Sequence, residues 1–174
     1  MTLRPTFEDI TDCETVLFEW AESYDGKDWE RLERCIAPSL RIDYRAFVNK
    51  LWENMAPTDF VAMVSHPHFL GTPRIQTQHF IGMTKWEKVS ENQILGHHQM
   101  RVAHQKHADD ELKEVTVKGH SHGTGTITYR RIDGVWKFAG IEPHVRWTEF
   151  GGEGLFGPPV KEGNTAPGPI DIVS

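Results

Sequence analysis

The sequence predicts one α+β domain in which helices come first and a curved, mostly antiparallel sheet follows and wraps around them. Apolar residues near the start recur at helical spacing, whereas most of the chain beyond residue 75 alternates every second position. Asp133-Gly134, set between Ile132 and Val135, is a two-residue hairpin signal that makes the flanking strands antiparallel neighbours.

Residues 1–10 read as an irregular lead-in. Thr11 and Glu14 fit the S/T-x-x-E capping pattern, and Cys13, Val16, Leu17, Trp20, Ala21 and Tyr24 then fall on one helical face. Asp25 follows, and Gly26 supplies the permissive backbone that ends the helix. A second helix runs from Asp28 through Cys35, burying Trp29, Leu32 and Ile36, until Pro38 stops it. Leu40, Ile42, Tyr44 and Ala46 then alternate with Arg41, Asp43 and Arg45, which predicts a strand with Tyr44 pointing inward. Residues 49–70 return to helical character, with Thr58 capping a segment that carries Phe60, Met63 and Val64. After Gly71 and Pro73 come the strand TQHFIG (77–82) and further strands over 84–90, 93–104, 112–131 and 135–147. The domain therefore spans residues 1–150. The tail, 151–174, is rich in Gly and Pro and reads as an irregular segment and candidate lid carrying Leu155 and Phe156.

Composition narrows the function. Nineteen Lys and Arg against 25 Asp and Glu give a net charge of -6 and no basic stripe for phosphates, so nucleic acid is not an expected partner. Cys13 and Cys35 sit in apolar-periodic segments and read as core thiols, which indicates a reducing compartment. No stretch reaches the ~20 apolar residues a membrane crossing needs, so the expectation is a soluble, cytoplasmic protein.

Thr77, His79 and Ile81 share one strand face, so His79 is either satisfied inside the core or works there. Met100, Val102 and His104 share another. With Tyr24, Asp25 and Tyr44 these histidines form an inward polar set. It offers donors for a carbonyl oxygen, an acid/base near neutral pH, and a carboxylate to orient an imidazole. No nucleophile elbow, phosphate loop or second carboxylate beside Asp25 accompanies them. His97 and His98 point to opposite faces of a strand. His120 and His122 share the face opposite Val115, Val117 and Gly119, and so are expected outside the core, which leaves no predicted metal site.

The runs EWAESYDGKDW (19–29), IAPSLRIDYRAF (36–47), TQHFIG, HHQMRVAHQ (97–105), KEVTVKGHSH (113–122) and IDGVWKFAGIEPHVRW (132–147) resemble the scytalone dehydratase family of fungal melanin biosynthesis. The resemblance covers about residues 14–150. It implies a cone-shaped barrel of the NTF2-like superfamily, a homotrimer, and removal of water from a hydroxylated aromatic polyketide intermediate without metal or organic cofactor. It also implies that Tyr24 and Tyr44 polarise the substrate carbonyl through a bound water. His79 is then the acid/base, and Asp25 orients a histidine, with His104 the preferred partner. Trp20, Phe47, Met63, Phe69, Val102, Pro143, Val145 and Phe156 are the expected walls.

The chain departs from the family after KGHSH. Where the family has a serine and, two residues on, an asparagine that bind substrate hydroxyls, this chain has Gly123 and Gly125. A substrate hydroxyl left unpaired there costs about 1–3 kcal/mol, which points to a different, bulkier substrate. The family's pocket-covering phenylalanine aligns with Gly152, with Phe156 as a candidate substitute. Three activities stay open: a dehydratase, a related cyclase or isomerase, or a non-catalytic protein that binds a small hydrophobic ligand.

Overall fold

The computed structural model describes residues 3–156. Helices α1 (Phe7–Gly26) and α2 (Trp29–Cys35) precede β1 (Ile36–Asp43), α3 (Arg45–Val48), β2 (Leu51–Met55) and α4 (Pro57–Val64). Four long strands complete the chain: β3 (Ile75–Ser90), β4 (Gln93–His107), β5 (Val115–Ile132) and β6 (Val135–Glu149). They form one sheet in the order β2-β1-β6-β5-β4-β3, in which β1 runs parallel to β6 and every other pair is antiparallel. The α+β prediction holds, and the apolar face of α1 packs with α2, α4 and the sheet in one core.

Helix α1 begins at Phe7, ahead of the start that the Thr11 capping pattern predicts. The cap is Thr6, whose hydroxyl accepts from the Asp9 backbone while Asp9 accepts from the Thr6 backbone; the Thr11 hydroxyl instead donates to the Phe7 carbonyl inside the helix. Tertiary contacts decide between the two caps, because the buried Asp9 carboxylate also takes hydrogen bonds from Lys88 Nζ on β3 and Trp136 Nε1 on β6. At the other end Gly26 stays helical, and Lys27 takes the left-handed conformation (φ 56°).

Other boundaries follow from local causes. Helix α2 ends at Cys35 as predicted, but Ile36 and Pro38 already belong to β1, in which the residues before the proline are extended. Strand β1 stops at Asp43, whose carboxylate binds the Arg45 guanidinium at 2.6 and 2.8 Å. Tyr44 then caps α3, so Ala46 is helical, although Tyr44 is buried as predicted. Within 49–70 the chain places β2 before α4, and α4 starts at Pro57 with Ala56, not Thr58, at the cap. The two segments predicted over 77–82 and 84–90 are one strand with an irregularity between Ile81 and Thr84. The hairpin turn is as predicted, with Asp133 and Gly134 at φ 49° and 83°. Cys13 and Cys35 are buried free thiols. Among the described residues no helix is long and apolar enough to cross a membrane.

Candidate active site

One cavity of about 660 Å³ opens between α1, the sheet and the segment after β6. The last turn of α1 brings Tyr24 to its wall, the sharp exit from β1 brings Tyr44, and β3 and β4 bring His79 and His104 from paired strands. Both phenols are buried, at 3% and 9% exposure, which pushes the Tyr24 hydroxyl well above its usual pKa and that of Tyr44 up to about 12. Both therefore stay protonated and able to donate at any physiological pH.

Asp25 stands behind His79 rather than His104, contrary to the expectation. Its Oδ1 lies 2.7 Å from His79 Nδ1 and accepts from the Thr77 hydroxyl at 2.9 Å, while its Oδ2 accepts from the His79 backbone N–H at 2.8 Å. The reason is register: Thr77 and His79 share the β3 face that meets the end of α1, so one carboxylate spans both. Burial opposes ionisation of Asp25, but the bonds from His79 and Thr77 outweigh it and hold its carboxyl below the usual value. An ionised carboxylate only accepts, so His79 Nδ1 carries the ring proton and Nε2 is left as the basic nitrogen. Thr77, the third member of this network, carried no signal in the sequence beyond its shared face.

His104 is different. Its burial, followed by the proximity of His79, lowers its pKa to about 4. It is thus a neutral imidazole at pH 7, packed edge-on against Phe156 with ring centroids 5.4 Å apart.

The remaining walls are largely those expected. Trp20, Phe47, Met63 and Phe69 line one side; Val102, Gly123, Pro143 and Val145 line the other. Phe156 closes over Phe69 at 4.8 Å, and Leu155 beside it is buried against the backbones of Gly119 and Gly152. The Lys106 ammonium ties this segment down through the Gly154 carbonyl at 2.9 Å. Residues 151–156 thus cover the cavity through Phe156, and 157–174 of the predicted tail lie outside the described residues.

A profile of the scytalone dehydratase family matches residues 4–161. The chain belongs to the scytalone dehydratase family. It is 64% identical over 180 residues to the scytalone dehydratase-like protein mdpB of Emericella nidulans, a match covering 94% of this chain and 84% of that protein. With the scytalone dehydratase of Pyricularia oryzae it shares 55% identity over 151 residues, 87% of this chain and 88% of the other. In fold it is similar to a Kribbella flavida protein, Kfla4162, at a TM-score of 0.70 and 14% identity over 82% of this chain and 93% of the other. It is also similar to the hexachlorocyclohexane dehydrochlorinase LinA-type3 of Novosphingobium barchaimii, at 0.63 and 16% over 87% and 96%. The NTF2-like cone, with helices seated in a curved sheet, is therefore the fold of this scytalone dehydratase relative.

The two glycines on β5 are not equivalent. Gly123 lines the cavity at a register shift between β5 and β6, and a Cβ there would overlap the His144 carbonyl oxygen and sit 3.1 Å from Val145 Cα. Gly125, contrary to expectation, is not part of the cavity wall: the Met100 side chain lies over it, its Cε 3.1 Å from where a Cβ would be. Met100 was missed as a wall residue because its neighbours in sequence gave no sign that it bends across a glycine. Ser121 and Thr124 do line the cavity, since the register shift lets consecutive residues of β5 approach it.

Other histidines on β4 and β5 have different surroundings. His98 is fully buried, with Nδ1 2.8 Å from the Thr84 hydroxyl and Nε2 3.0 Å from the Tyr129 hydroxyl. His97 lies on the opposite face near Glu87, as strand parity requires. His120 and His122 flank Glu149 at 3.6 and 3.4 Å, and His122 stacks on the exposed Trp147; contrary to the expectation that the pair faces away from the core, His122 lines the cavity.

Proposed function

We propose that this protein is a cofactor-independent dehydratase acting on a hydroxylated aromatic polyketide intermediate other than scytalone. The observation that carries the reading is the Asp25-backed imidazole of His79 in a cavity that also holds two protonated tyrosines. In a β-hydroxy ketone, His79 Nε2 removes the proton α to the carbonyl and the electron pair moves onto the carbonyl oxygen. Tyr24 and Tyr44 donate hydrogen bonds to that oxygen, directly or through a water, where the negative charge develops. The enolate then expels the β-hydroxyl, which leaves as water with the proton His79 returns, and the ring aromatises. His104, neutral at pH 7, is suited to hydrogen-bond a substrate hydroxyl rather than to carry charge.

Two features support a substrate different from scytalone. The wall presents Gly123 of β5 and the Met100 thioether of β4 where relatives are expected to offer hydroxyl and amide groups, and the cavity's 660 Å³ leaves room for more than two fused rings. The same proposal includes a cytoplasmic homotrimer, for which the exposed Phe80, Met83, Trp147 and Phe150 offer apolar surface.

A turnover assay with a panel of hydroxytetralones and larger fused-ring β-hydroxy ketones tests the reading, followed by the absorbance of the aromatised product. Water loss by the wild type, reduced on the order of 100-fold or more in a folded His79→Ala variant, is expected. Ligand binding without turnover across the panel would leave a binding protein instead.

A further inference from the structure

Two polar atoms buried on the α1 wall of the cavity have no hydrogen-bond partner among the described residues: Nε1 of Trp20 and the hydroxyl of Tyr24. Both residues line the cavity, and both are closed to solvent, at 1% and 3% exposure. They stand one helical turn apart on α1, with ring centroids 5.1 Å apart and planes tilted by 52°. Buried polar groups are nearly always paired, so two unpaired ones on the same wall mark a network completed when something binds. Neither residue has room to turn away. The Trp20 indole is stacked on Phe138 at 5.3 Å and 9°, and the His79 ring meets it edge-on at 5.1 Å.

The chemistry of the two groups fixes the sense of that network. An indole N–H only donates; a phenol both donates and accepts. Whatever passes between them must therefore run from Trp20 Nε1 to the Tyr24 oxygen, leaving the Tyr24 proton for a neighbour on the far side. Burial raises the Tyr24 pKa most, the Tyr44 hydroxyl adds to the rise, and the Trp20 N–H opposes it.

We propose that Trp20 is a positioning residue whose indole N–H donates to the Tyr24 hydroxyl oxygen in the loaded site and so turns the Tyr24 proton toward the ligand's developing oxyanion. The proposal rests on the reading of the cavity as an enolate-stabilising site. Trp20 acts twice in it: its ring packs the end of α1 against β6, and its N–H prevents the Tyr24 hydroxyl from rotating into an unproductive direction. A phenylalanine supplies the first function and lacks the second.

The test uses a naphthol whose ionisation changes its absorbance, titrated while bound to the full-length protein; its naphtholate stands in for the enolate. The wild type is expected to hold the bound probe's pKa below its value in water. Trp20→Phe is expected to weaken naphtholate binding about three- to tenfold, leave the neutral form's affinity unchanged, and lower kcat on any substrate turned over by a similar factor with little change in KM. In a Tyr24→Phe background the same substitution should have no further effect on the probe. Should Trp20→Phe fail to fold, β-(3-benzothienyl)alanine incorporated at position 20 keeps the indole's shape without its N–H. A bound-probe pKa equal in wild type and either variant, or an effect that persists undiminished without Tyr24, overturns the role of Trp20. A wild type that binds the probe without lowering its pKa overturns the enolate-stabilising reading itself, and the role of Trp20 with it.

Discussion

Asp25→Asn is the substitution whose consequence can be worked atom by atom. Asp25 Oδ2 faces a backbone N–H that only donates, that of His79, whereas Oδ1 faces the Thr77 hydroxyl and His79 Nδ1, both of which can also accept. The new side-chain amide must therefore place its oxygen at the Oδ2 position and its NH₂ at the Oδ1 position; the reverse would set two donors against each other. In that orientation His79 Nδ1 has to accept, its proton moves to Nε2, and the basic nitrogen facing the chemistry is lost. The buried carboxylate that would stabilise an imidazolium is lost too. Together these should cost about 3–4 kcal/mol in the transition state, or roughly 10²–10³-fold in kcat, while the isosteric amide leaves the fold in place. ¹⁵N chemical shifts of the His79 ring should report the exchange of tautomers without any substrate, and thermal unfolding should be close to wild type. An Asp25→Asn protein that keeps the Nδ1–H tautomer and full turnover would show that the carboxylate is only structural.

Two further outcomes follow from burial. Gly123→Ala should cost about 2–4 kcal/mol, because the new Cβ overlaps the His144 carbonyl and forces β6 away from β5, whereas Gly125→Ala should stay within about 1 kcal/mol, since only the flexible Met100 terminus must move. Urea melts of the two variants check this, and equal stabilities would remove the distinction drawn between them. Burial lowers the His98 pKa from 6.5 to about 4, so the folded protein resists a proton that the unfolded chain takes up. Its contribution is complete above pH 6.5 and is lost as the pH falls toward 4, by about 1.4 kcal/mol per unit for each such group, with His104 titrating over the same window. Replacing His98 with phenylalanine should make the dependence of unfolding free energy on pH shallower by about one proton in that range; an unchanged slope would place the titration elsewhere.

The class of fold and most members of the candidate site were legible in the order of amino acids alone. Period-two alternation put His79 and His104 on inward faces, helical spacing put Tyr24 on the buried stripe of α1, and Asp133-Gly134 marked the hairpin, because each of these depends on the backbone's own repeat. The long runs shared with the scytalone dehydratase family carried the rest of the assignment. Whatever depends on distant partners emerged only once the chain was packed. Thr6 won the α1 cap over Thr11 because Asp9 finds Lys88 and Trp136 far along the chain. Asp25 paired with His79 and not His104 because β3, not β4, lies against the end of α1 with Thr77 in register. Gly123 and Gly125, two positions apart on the same strand face, differ because a register shift brings the His144 carbonyl over one while the unbranched Met100 side chain covers the other. Local repeats fix which way a side chain points, but the group it meets there is set by register and close packing between strands that the sequence does not align for the reader.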